Sequence, residues 1–221
     1  MKNLRENENM AVLGVFLGIT ALISALVLAL VSQLTAKPIA EMQKKNMQLS
    51  LKQLSLPDFD NAPDRESKTF KTPAGWKAEI MPFRQKGQLK GFAVKTASPD
   101  GYGGPVEIMA GFTPDGTVKA VLVTSHHETP GLGSKVCERK FRKTIFNVFK
   151  PAPAGLPPNP RLDQFNGRTV PADADWKVKR DGGDFDFVTG ATITSRAVVN
   201  AVSEAGKTLA AHKAEFLKGG K

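Results

Sequence analysis

The sequence predicts an α+β fold, in which one transmembrane helix precedes a domain with a mostly antiparallel sheet and flanking helices. Three observations lead to this prediction: a long uncharged apolar run near the N-terminus, a series of short strand-like runs joined by glycine-containing turns, and an amphipathic helical pattern towards the C-terminus. The strands come before the helices and do not alternate with them regularly, which is typical of α+β rather than α/β proteins.

A membrane anchor is predicted at residues 10–36. This segment contains no charged residue, and its first part, Met10–Val31, is apolar almost throughout. A helix needs about 20 residues to cross the ~30 Å hydrocarbon core of a bilayer. The alternative is a secretory signal peptide, but its apolar core is usually about 7–15 residues long, and Leu34-Thr35-Ala36 has a bulky leucine where a cleavage site needs a small residue. A retained single-pass anchor is therefore expected, after a tail of residues 1–9.

The charges beside the anchor leave its orientation open. Four lysines between residues 37 and 52 follow the span, whereas Lys2 and Arg5 before it are offset by two glutamates. Taken alone, this bias would keep the large domain in the cytoplasm. Long domains, however, translocate largely regardless of flanking charge.

The net charge of +10 does not indicate a nucleic-acid partner. The basic residues are spread along the chain, and the interleaved aromatic residues of a base-stacking surface are missing. A basic domain beside a membrane is equally suited to anionic lipid or to an acidic redox partner. We therefore predict a membrane protein that binds no nucleic acid.

The single cysteine, Cys137, excludes several kinds of site. One thiol cannot form an intramolecular disulfide, a four-cysteine iron–sulfur cluster or a zinc ribbon. An electron carrier of this sequence would therefore need an organic cofactor, and Cys137 is expected to be a small buried residue. No metal site is predicted at His126 and His127 either, because adjacent residues on a strand point to opposite faces.

The chain after the anchor divides into a stalk and linker, residues 37–74, and a domain, residues 75–221. Helical spacing of apolar residues predicts a stalk helix from Ala40 to about Leu54, and prolines mark Asp58–Ala74 as a linker. Four strands joined by Gly-containing turns, typical of an antiparallel meander, are predicted at Trp76–Phe83, Leu89–Thr96, Val106–Phe112 and Thr117–Ser125.

Two helices and two short strands complete the prediction. Apolar stripes indicate amphipathic helices at Ser134–Phe149 and Thr194–Leu217. The proline-rich segment Pro151–Pro160 is expected to be an irregular loop. Short strands at Trp176–Lys179 and Phe185–Val188 are expected to rejoin the sheet.

The segment from Asp186 to Ser195 carries the strongest chemical signal. It has the pattern of a strand end, a turn of small residues and a hydroxyl-rich helix start. Gly190 and Ala191 allow the backbone to come close to a ligand, and the free N–H groups of the following helix favour a phosphate. Thr192 would present its hydroxyl to that phosphate. The alternative is an ordinary N-cap, in which one of these hydroxyls only satisfies the helix start.

The pattern Asp186-x-x-Thr189-Gly190-Ala191-Thr192-x-Thr194 resembles the flavinylation motif of the FMN-binding domain family. Two further segments match the signatures of that family: Gly101-Tyr-Gly-Gly-Pro-Val106 and Glu128-Thr-Pro-Gly-Leu-Gly133. With the anchor, nearly the whole chain is similar to the RnfG family, the G subunits of Rnf ion-translocating oxidoreductase complexes. The C subunits of the sodium-translocating NADH:quinone reductases are related but usually longer.

The resemblance implies that FMN is bound covalently, through a phosphoester that a flavin transferase forms on Thr192 from FAD. It also implies that Thr189, Gly190, Ala191 and Thr194 belong to the cofactor site. No catalytic residue is predicted.

The loop before Ser134 is expected to contact the flavin as well. The glycines Gly131 and Gly133 would let the backbone approach a planar ring, Thr129 could form a hydrogen bond, and Leu132 could pack on the ring. The alternative for these residues is a plain turn at a helix entry.

The function that the resemblance implies is electron transfer within a membrane-bound complex, coupled to ion translocation. The flavin would relay electrons between ferredoxin and NAD, with the domain on the outer, periplasmic side of the inner membrane and the other Rnf subunits as partners. The chain would not turn over a substrate alone. Two alternatives remain: a membrane-anchored reductase with covalent FMN that acts on a small acceptor, and a flavin sensor or assembly subunit.

Overall fold

The computed structural model describes residues 2–54, 59–140, 156–170 and 176–217. The chain forms two compact units, Met1–Gln48 and Leu49–Lys221.

The first unit is helical. Helix α1 runs over Lys2–Gln53 and therefore ends in the second unit, and Pro38 lies inside it. From Met10 the helix is long and apolar enough to cross a membrane. The hydroxyls of Thr20 and Ser24 donate to carbonyls of the same helix, which satisfies their polarity in an apolar setting. The separate stalk helix expected from Ala40 is thus the continuation of α1.

The second unit contains a five-stranded antiparallel sheet, which confirms the α+β prediction and its meander. The strands follow one another in sequence and in space: β1 Lys68–Lys71, β2 Lys77–Gln85, β3 Gln88–Ser98, β4 Val106–Phe112 and β5 Val118–Ser125.

Strand β1 corrects the prediction of a linker over Asp58–Ala74. Lys68–Lys71 pairs with Lys77–Ile80 at the edge of the sheet. Its sequence, Lys-Thr-Phe-Lys, contains one apolar residue and its side chains are mostly exposed. An edge strand with one apolar residue shows no alternation of apolar and polar side chains in its sequence. It forms a strand because it pairs with β2, which its composition does not reveal.

The register of the sheet places apolar rows on both faces. Ile80, Val94 and Ala110 are neighbours on β2, β3 and β4, and all three are buried in one cluster with the apolar face of the C-terminal helix. The next row, which includes Met81 and Ala93, points to the opposite face and is also buried. The sheet is therefore a two-sided core.

The helical elements of the second unit are short, apart from one. They are α2 Ser134–Cys137, α3 Pro160–Asp163, a 3₁₀ turn at Lys179–Asp181, α4 Thr192–His212 and α5 Ala214–Leu217. Helix α4 packs across β3 and β4 and is the element that carries the predicted flavinylation motif.

The bounds of both predicted helices differ from those in the structure. The helix expected over Ser134–Phe149 ends at Cys137, because Glu138 is extended and tertiary contacts hold the following residue: the Arg139 guanidinium donates to Val121 O and to Asp163. Residues 141–149 of that prediction lie outside the described residues. The helix expected over Thr194–Leu217 begins two residues earlier and is interrupted at Lys213.

The two short strands predicted before α4 do not rejoin the sheet. Val178 and Phe185 form an isolated parallel bridge with each other. Phe185 instead belongs to an aromatic cluster with Phe165 and Trp176. The ring centroids of Phe165 and Trp176 are 5.7 Å apart, and both rings contact the ring of Phe185. Of the expected loop Pro151–Pro160, the described residues from 156 to 159 are irregular.

Candidate functional site

One cavity brings the three sequence motifs together. Its volume is about 440 Å³, which lies within the range of ligand sites. Its walls come from the turn before β4, the loop before α2 and the start of α4, with one residue from the 3₁₀ turn. The lining residues are Tyr102, Glu128, Thr129, Leu132, Gly133, Arg180, Gly190, Ala191, Thr192, Ile193 and Thr194.

The start of α4 is not closed by a side-chain cap. Ala191 occupies the N-cap position, and no side chain of the described residues caps it. The hydroxyl of Ser195 donates to Ala191 O at 2.9 Å, and that of Thr194 points into the protein interior. The ordinary N-cap interpretation of these hydroxyls is therefore wrong. The first N–H groups of a 21-residue helix stay available at the cavity.

Thr192 is the first residue of α4, and its side chain lies in the cavity wall. The guanidinium of Arg180 donates from Nη1 to Thr192 Oγ1 at 3.3 Å. The predicted nucleophilic hydroxyl thus lies beside a permanent positive charge and a helix N-terminus, and both features favour an anion at this position.

Glu128 joins the other two motifs to α4. Its side chain is 5 % exposed. Thr194 Oγ1 donates to Oε2 at 2.6 Å, and the backbone N–H of Gly103 donates to Oε1 at 3.4 Å. A buried carboxylate needs such donors to offset its loss of water. Glu128 therefore fixes the turn before β4 and the helix start around one side chain.

The glycines of the loop have separate structural roles. A Cβ atom on Gly133 would lie 2.6 Å from Glu128 Oε2 and 2.8 Å from Thr194 Oγ1, so the hydrogen-bonded pair excludes any side chain there. Gly131 has φ +79°, which suits glycine, and its N–H donates to Ser134 Oγ. Gly131 does not line the cavity, and neither does the exposed Thr189.

Exposed apolar side chains gather at the cavity. Outside α1, the described residues include four exposed large hydrophobic side chains, and three of them line this cavity: Tyr102 (71 % exposed), Leu132 (44 %) and Ile193 (47 %). Exposed apolar groups that converge on one depression mark a binding surface rather than random exposure. This side of the cavity is suited to a flat, largely apolar ligand.

Asp186, the first residue of the motif, lies outside the cavity. Its carboxylate accepts from Lys179 at 2.7 Å, and this contact lowers the pKa of Asp186. Its backbone N–H donates to Gln164 Oε1 at 2.8 Å. Asp186 thereby holds the segment before α4 against the 3₁₀ turn that carries Arg180.

The comparison with known proteins agrees with this geometry. Residues 101–207 match the FMN-binding domain family, and residues 1–54 match the RnfG N-terminal region. The G subunit of the ion-translocating oxidoreductase complex of Pseudomonas aeruginosa (strain UCBPP-PA14) is 35 % identical over 210 residues, which cover 92 % of this chain and 90 % of that protein. The corresponding G subunit of Salmonella typhimurium is 36 % identical over 194 residues (86 % and 82 %), and that of Vibrio cholerae (strain M66-2) is 33 % identical over 214 residues (92 % and 91 %).

The chain belongs to the RnfG family. It is accordingly a subunit of an ion-translocating oxidoreductase complex, an electron-transport flavoprotein with an FMN-binding domain, and its apolar N-terminal helix agrees with membrane anchoring.

The cavity of this RnfG member fits FMN chemically. Arg180 and the uncapped start of α4 are donors for a phosphate at one end, next to the Thr192 hydroxyl. Tyr102 and Leu132 offer apolar surface for a planar ring.

Sequence reasoning missed several of these residues. Tyr102 lies in one of the three motifs, but no role was predicted for it. Ile193 could have been found, because an apolar residue in the first turn of a helix, next to the motif threonines, indicates a contact with a ligand. Arg180 has no signal in the sequence, because only the fold brings the 3₁₀ turn to α4. A glutamate such as Glu128 can act as a general base. In this RnfG structure both of its carboxylate oxygens accept hydrogen bonds, so its role is structural.

The two histidines lie after β5 and not on it. Strand β5 ends at Ser125, His126 Nδ1 accepts from the N–H of Glu128, and His127 is exposed. Among the described residues, no group of three or more His, Cys, Asp or Glu side chains is placed to hold a metal ion.

Proposed function

We propose that Thr192 carries FMN through a phosphoester and that this FMN relays electrons within a complex that couples electron transfer between ferredoxin and NAD to ion translocation. The observation that carries the proposal is the position of the Thr192 hydroxyl, which lies in a cavity with Arg180 and a helix N-terminus on one side and apolar residues on the other.

The phosphate end of the site is supported by charge and by hydrogen-bond donors. A phosphodiester on Thr192 Oγ1 would lie within reach of Arg180, which already donates to that oxygen. The N–H groups of the first turn of α4 add partial positive charge. Gly190, with φ +85°, turns the chain sharply before the helix and presents no side chain to the ligand.

The ring end of the site is supported by the three exposed apolar residues. Leu132 and Ile193 would contact the flavin, as would the aromatic ring of Tyr102, and their burial by the ring would remove apolar surface from water. When bound, FMN supplies the ability to pass between one- and two-electron chemistry. A ring on this open side of the domain would be accessible to a partner protein.

A relay is favoured over a reductase because the cavity has little acid–base chemistry of its own. Glu128 is the single carboxylate among the described lining residues, and its two oxygens already accept from Thr194 and Gly103. A reductase of a small acceptor would need a proton donor held near the ring, and the Tyr102 phenol of the lining is 71 % exposed and not enclosed in a substrate pocket. The chain alone is therefore proposed not to turn over a substrate.

The proposed setting is the outer face of the inner membrane. α1 anchors the chain by a single span, with the domain on the periplasmic side, the integral and peripheral Rnf subunits as electron-transfer partners, and a flavin transferase as the maturation partner. The proposed division of the chain is a tail (1–9), an anchor (10–36), a stalk that continues α1, and an FMN-binding domain that includes β1 and therefore begins before residue 75.

The site proposal is tested by the mass of the intact chain. Co-expression with a flavin transferase should add one FMN mass to the wild-type chain, and Thr192→Ala should abolish the addition. Thr69→Ala is the matched control, because Thr69 is an exposed threonine outside the motif and outside this cavity, and it should keep the flavin. Peptide mapping of the flavin to Thr189 or Thr194 would refute the assignment.

The relay is tested separately in the purified complex. Thr192→Ala should stop electron transfer between reduced ferredoxin and NAD while the subunits stay assembled. Normal electron transfer without the flavin would instead favour an assembly or sensor role.

A further inference from the structure

Arg180 is held in place by the backbone of its own segment. The 3₁₀ turn Lys179–Asp181 is fixed by the parallel bridge of Val178 and Phe185, with Lys179 N–H donating to Phe185 O at 2.8 Å. Gly182 ends the turn with φ +83°. This arrangement presents the Arg180 side chain to the first residue of α4 independently of any ligand.

The charges next to Arg180 are neutralised by other residues. Asp181 accepts two hydrogen bonds of 2.6 Å from Arg196, which lower the pKa of Asp181. Lys179 is paired with Asp186 at 2.7 Å. Within the described residues, Arg180 forms no ion pair with a carboxylate; its hydrogen bond goes to the neutral Thr192 hydroxyl. The Arg180 guanidinium is therefore not held in an ion pair and lies at the cavity, where its donors can reach an anion.

We propose that Arg180 is the phosphate-positioning residue of flavin attachment, an inference that rests on the proposed function of Thr192. A guanidinium is permanently charged and can donate two parallel hydrogen bonds to phosphate oxygens. Arg180 is exposed, so a dinucleotide brought by a transferase can reach it. Its contact with Thr192 Oγ1 places one end of that fork beside the attacking oxygen.

The step that Arg180 assists is a phosphoryl transfer from FAD. The Thr192 Oγ–phosphorus bond forms and the phosphoric anhydride bond of FAD breaks. AMP leaves with the bonding electron pair, and the hydroxyl proton passes to a base of the transferase. Arg180 neutralises the phosphoryl oxygens as the threonine oxygen approaches, and afterwards it holds the phosphodiester against the start of α4.

The experiment measures the initial rate of flavin attachment to the full-length chain in detergent, with purified transferase and FAD. Arg180→Gln should slow attachment by about tenfold or more, the factor that the loss of one charge-assisted hydrogen bond produces. Arg180→Lys should restore part of the rate, because it keeps the charge but loses the fork. Lys177→Gln is the matched control: Lys177 is exposed on the same segment outside this cavity, and its loss should leave the rate unchanged.

A second measurement does not depend on any rate. The ³¹P resonance of the attached phosphodiester should move in Arg180→Gln and stay in place in Lys177→Gln. A wild-type rate and an unmoved resonance in Arg180→Gln would overturn the proposal. If Arg180→Gln does not fold, as judged by tryptophan fluorescence, Arg180→Lys replaces it. A reduced attachment rate and a shifted ³¹P resonance in Arg180→Lys would then support the proposal, and a wild-type rate with an unmoved resonance would overturn it. A wild-type chain that accepts no flavin on Thr192 would overturn the proposed function and this inference together.

Discussion

The hydroxyl of Thr194 donates a 2.6 Å hydrogen bond to the carboxylate of Glu128, 66 positions earlier in the chain. Both groups are buried. The bond joins the loop before α2 to the first turn of α4, which also carries Thr192. Two walls of the cavity are therefore joined by one charge-assisted contact, two residues after Thr192 on the same helical turn.

Replacing Thr194 with valine should destabilise the domain. The substitution keeps the shape of the side chain but removes the donor, so the buried Glu128 carboxylate loses its shortest hydrogen bond. We expect the free energy of unfolding to fall by about 1.5–3 kcal/mol, the usual range for a hydrogen bond to a charged group. Guanidinium unfolding followed by the fluorescence of Trp76 and Trp176, the two tryptophans of the chain, measures it.

The matched control for this prediction is Thr189→Val, because Thr189 is exposed in the same motif. It should change the free energy of unfolding by less than about 0.5 kcal/mol. In the double variant Glu128→Gln/Thr194→Val, the two effects should not add. Additive effects would mean that the bond contributes little to stability.

The two loop glycines should respond differently to substitution. Gly133→Ala brings a methyl group against the Glu128 and Thr194 side chains, and we expect a loss of about 1–3 kcal/mol of stability from overpacking. Gly131→Asn should be tolerated, because asparagine adopts positive φ more readily than other side chains and the space is open.

The Gly131→Asn variant also tests whether Gly131 contacts the cofactor. If the flavin's visible spectrum changes in Gly131→Asn while the domain stays folded, Gly131 lies against the ring, as the backbone freedom of the loop glycines predicts. An unchanged spectrum would leave Gly131 as a turn residue.

The central sheet was predictable from the sequence because local and tertiary preferences agree there. Strands β2 to β5 alternate with Gly-containing turns, and Lys86 and Gly87 both have positive φ between β2 and β3. Strand β1 and the early end of α2 were not predictable. Strand β1 depends on its partner, and the residues after Cys137 are held by long-range contacts of Arg139 that no local pattern records.

The site was predictable to the extent that its residues lie in continuous motifs. One cavity is lined by residues of both motifs: Thr129, Leu132 and Gly133 from the loop, and Thr192 and Thr194 from the start of α4. The two motifs that the family resemblance linked are therefore neighbours in the structure. Arg180 could not be found, since its role depends on a turn that only the fold brings to α4.

Cys137 should be chemically silent in the folded protein. The prediction that Cys137 is buried is confirmed, and burial, with the nearby Glu128 and Glu138, raises its pKa from 9.0 to about 12. Because the thiolate is the reactive form, iodoacetamide at pH 8 should modify the unfolded but not the folded chain. Rapid modification of the folded chain would show that α2 opens readily.

The raised pKa of Cys137 also predicts a pH dependence of stability. Well below pH 9 the thiol is mostly protonated in both states and has little effect. Between about pH 9 and 12 the unfolded thiol loses its proton while the folded thiol keeps it, so stability falls by up to about 1.4 kcal/mol per pH unit from this group. Wild type should therefore lose more stability than Cys137→Ala over this range.

The proposed topology predicts that the domain is accessible from outside the cell membrane. Trypsin added to intact spheroplasts should cleave the chain at lysines beyond the anchor, such as Lys44, Lys45 and Lys52. A cytoplasmic marker protein in the same sample should stay intact. Complete protection of the domain would mean that the flanking lysines, and not the family resemblance, indicate its side.

The apolar side of the cavity should determine the environment of the flavin ring without affecting its attachment. Leu132→Ser and Ile193→Ser remove apolar surface at the cavity, whereas Leu217→Ser removes a similarly exposed leucine from α5 and is the matched control. With full flavin attachment verified by mass, the two cavity variants should shift the visible absorption of the flavin and increase the quenching of its fluorescence by iodide.

The physical reason is that an apolar wall excludes water from one face of the ring, so a polar side chain admits solvent and quencher. Attachment should persist because the Thr192 hydroxyl and Arg180 form a separate polar end of the cavity. If both cavity variants keep the spectrum and quenching of the Leu217→Ser control, the ring does not lie on Leu132 and Ile193. The exposed apolar residues would then have to be explained as a contact surface for another protein of the complex.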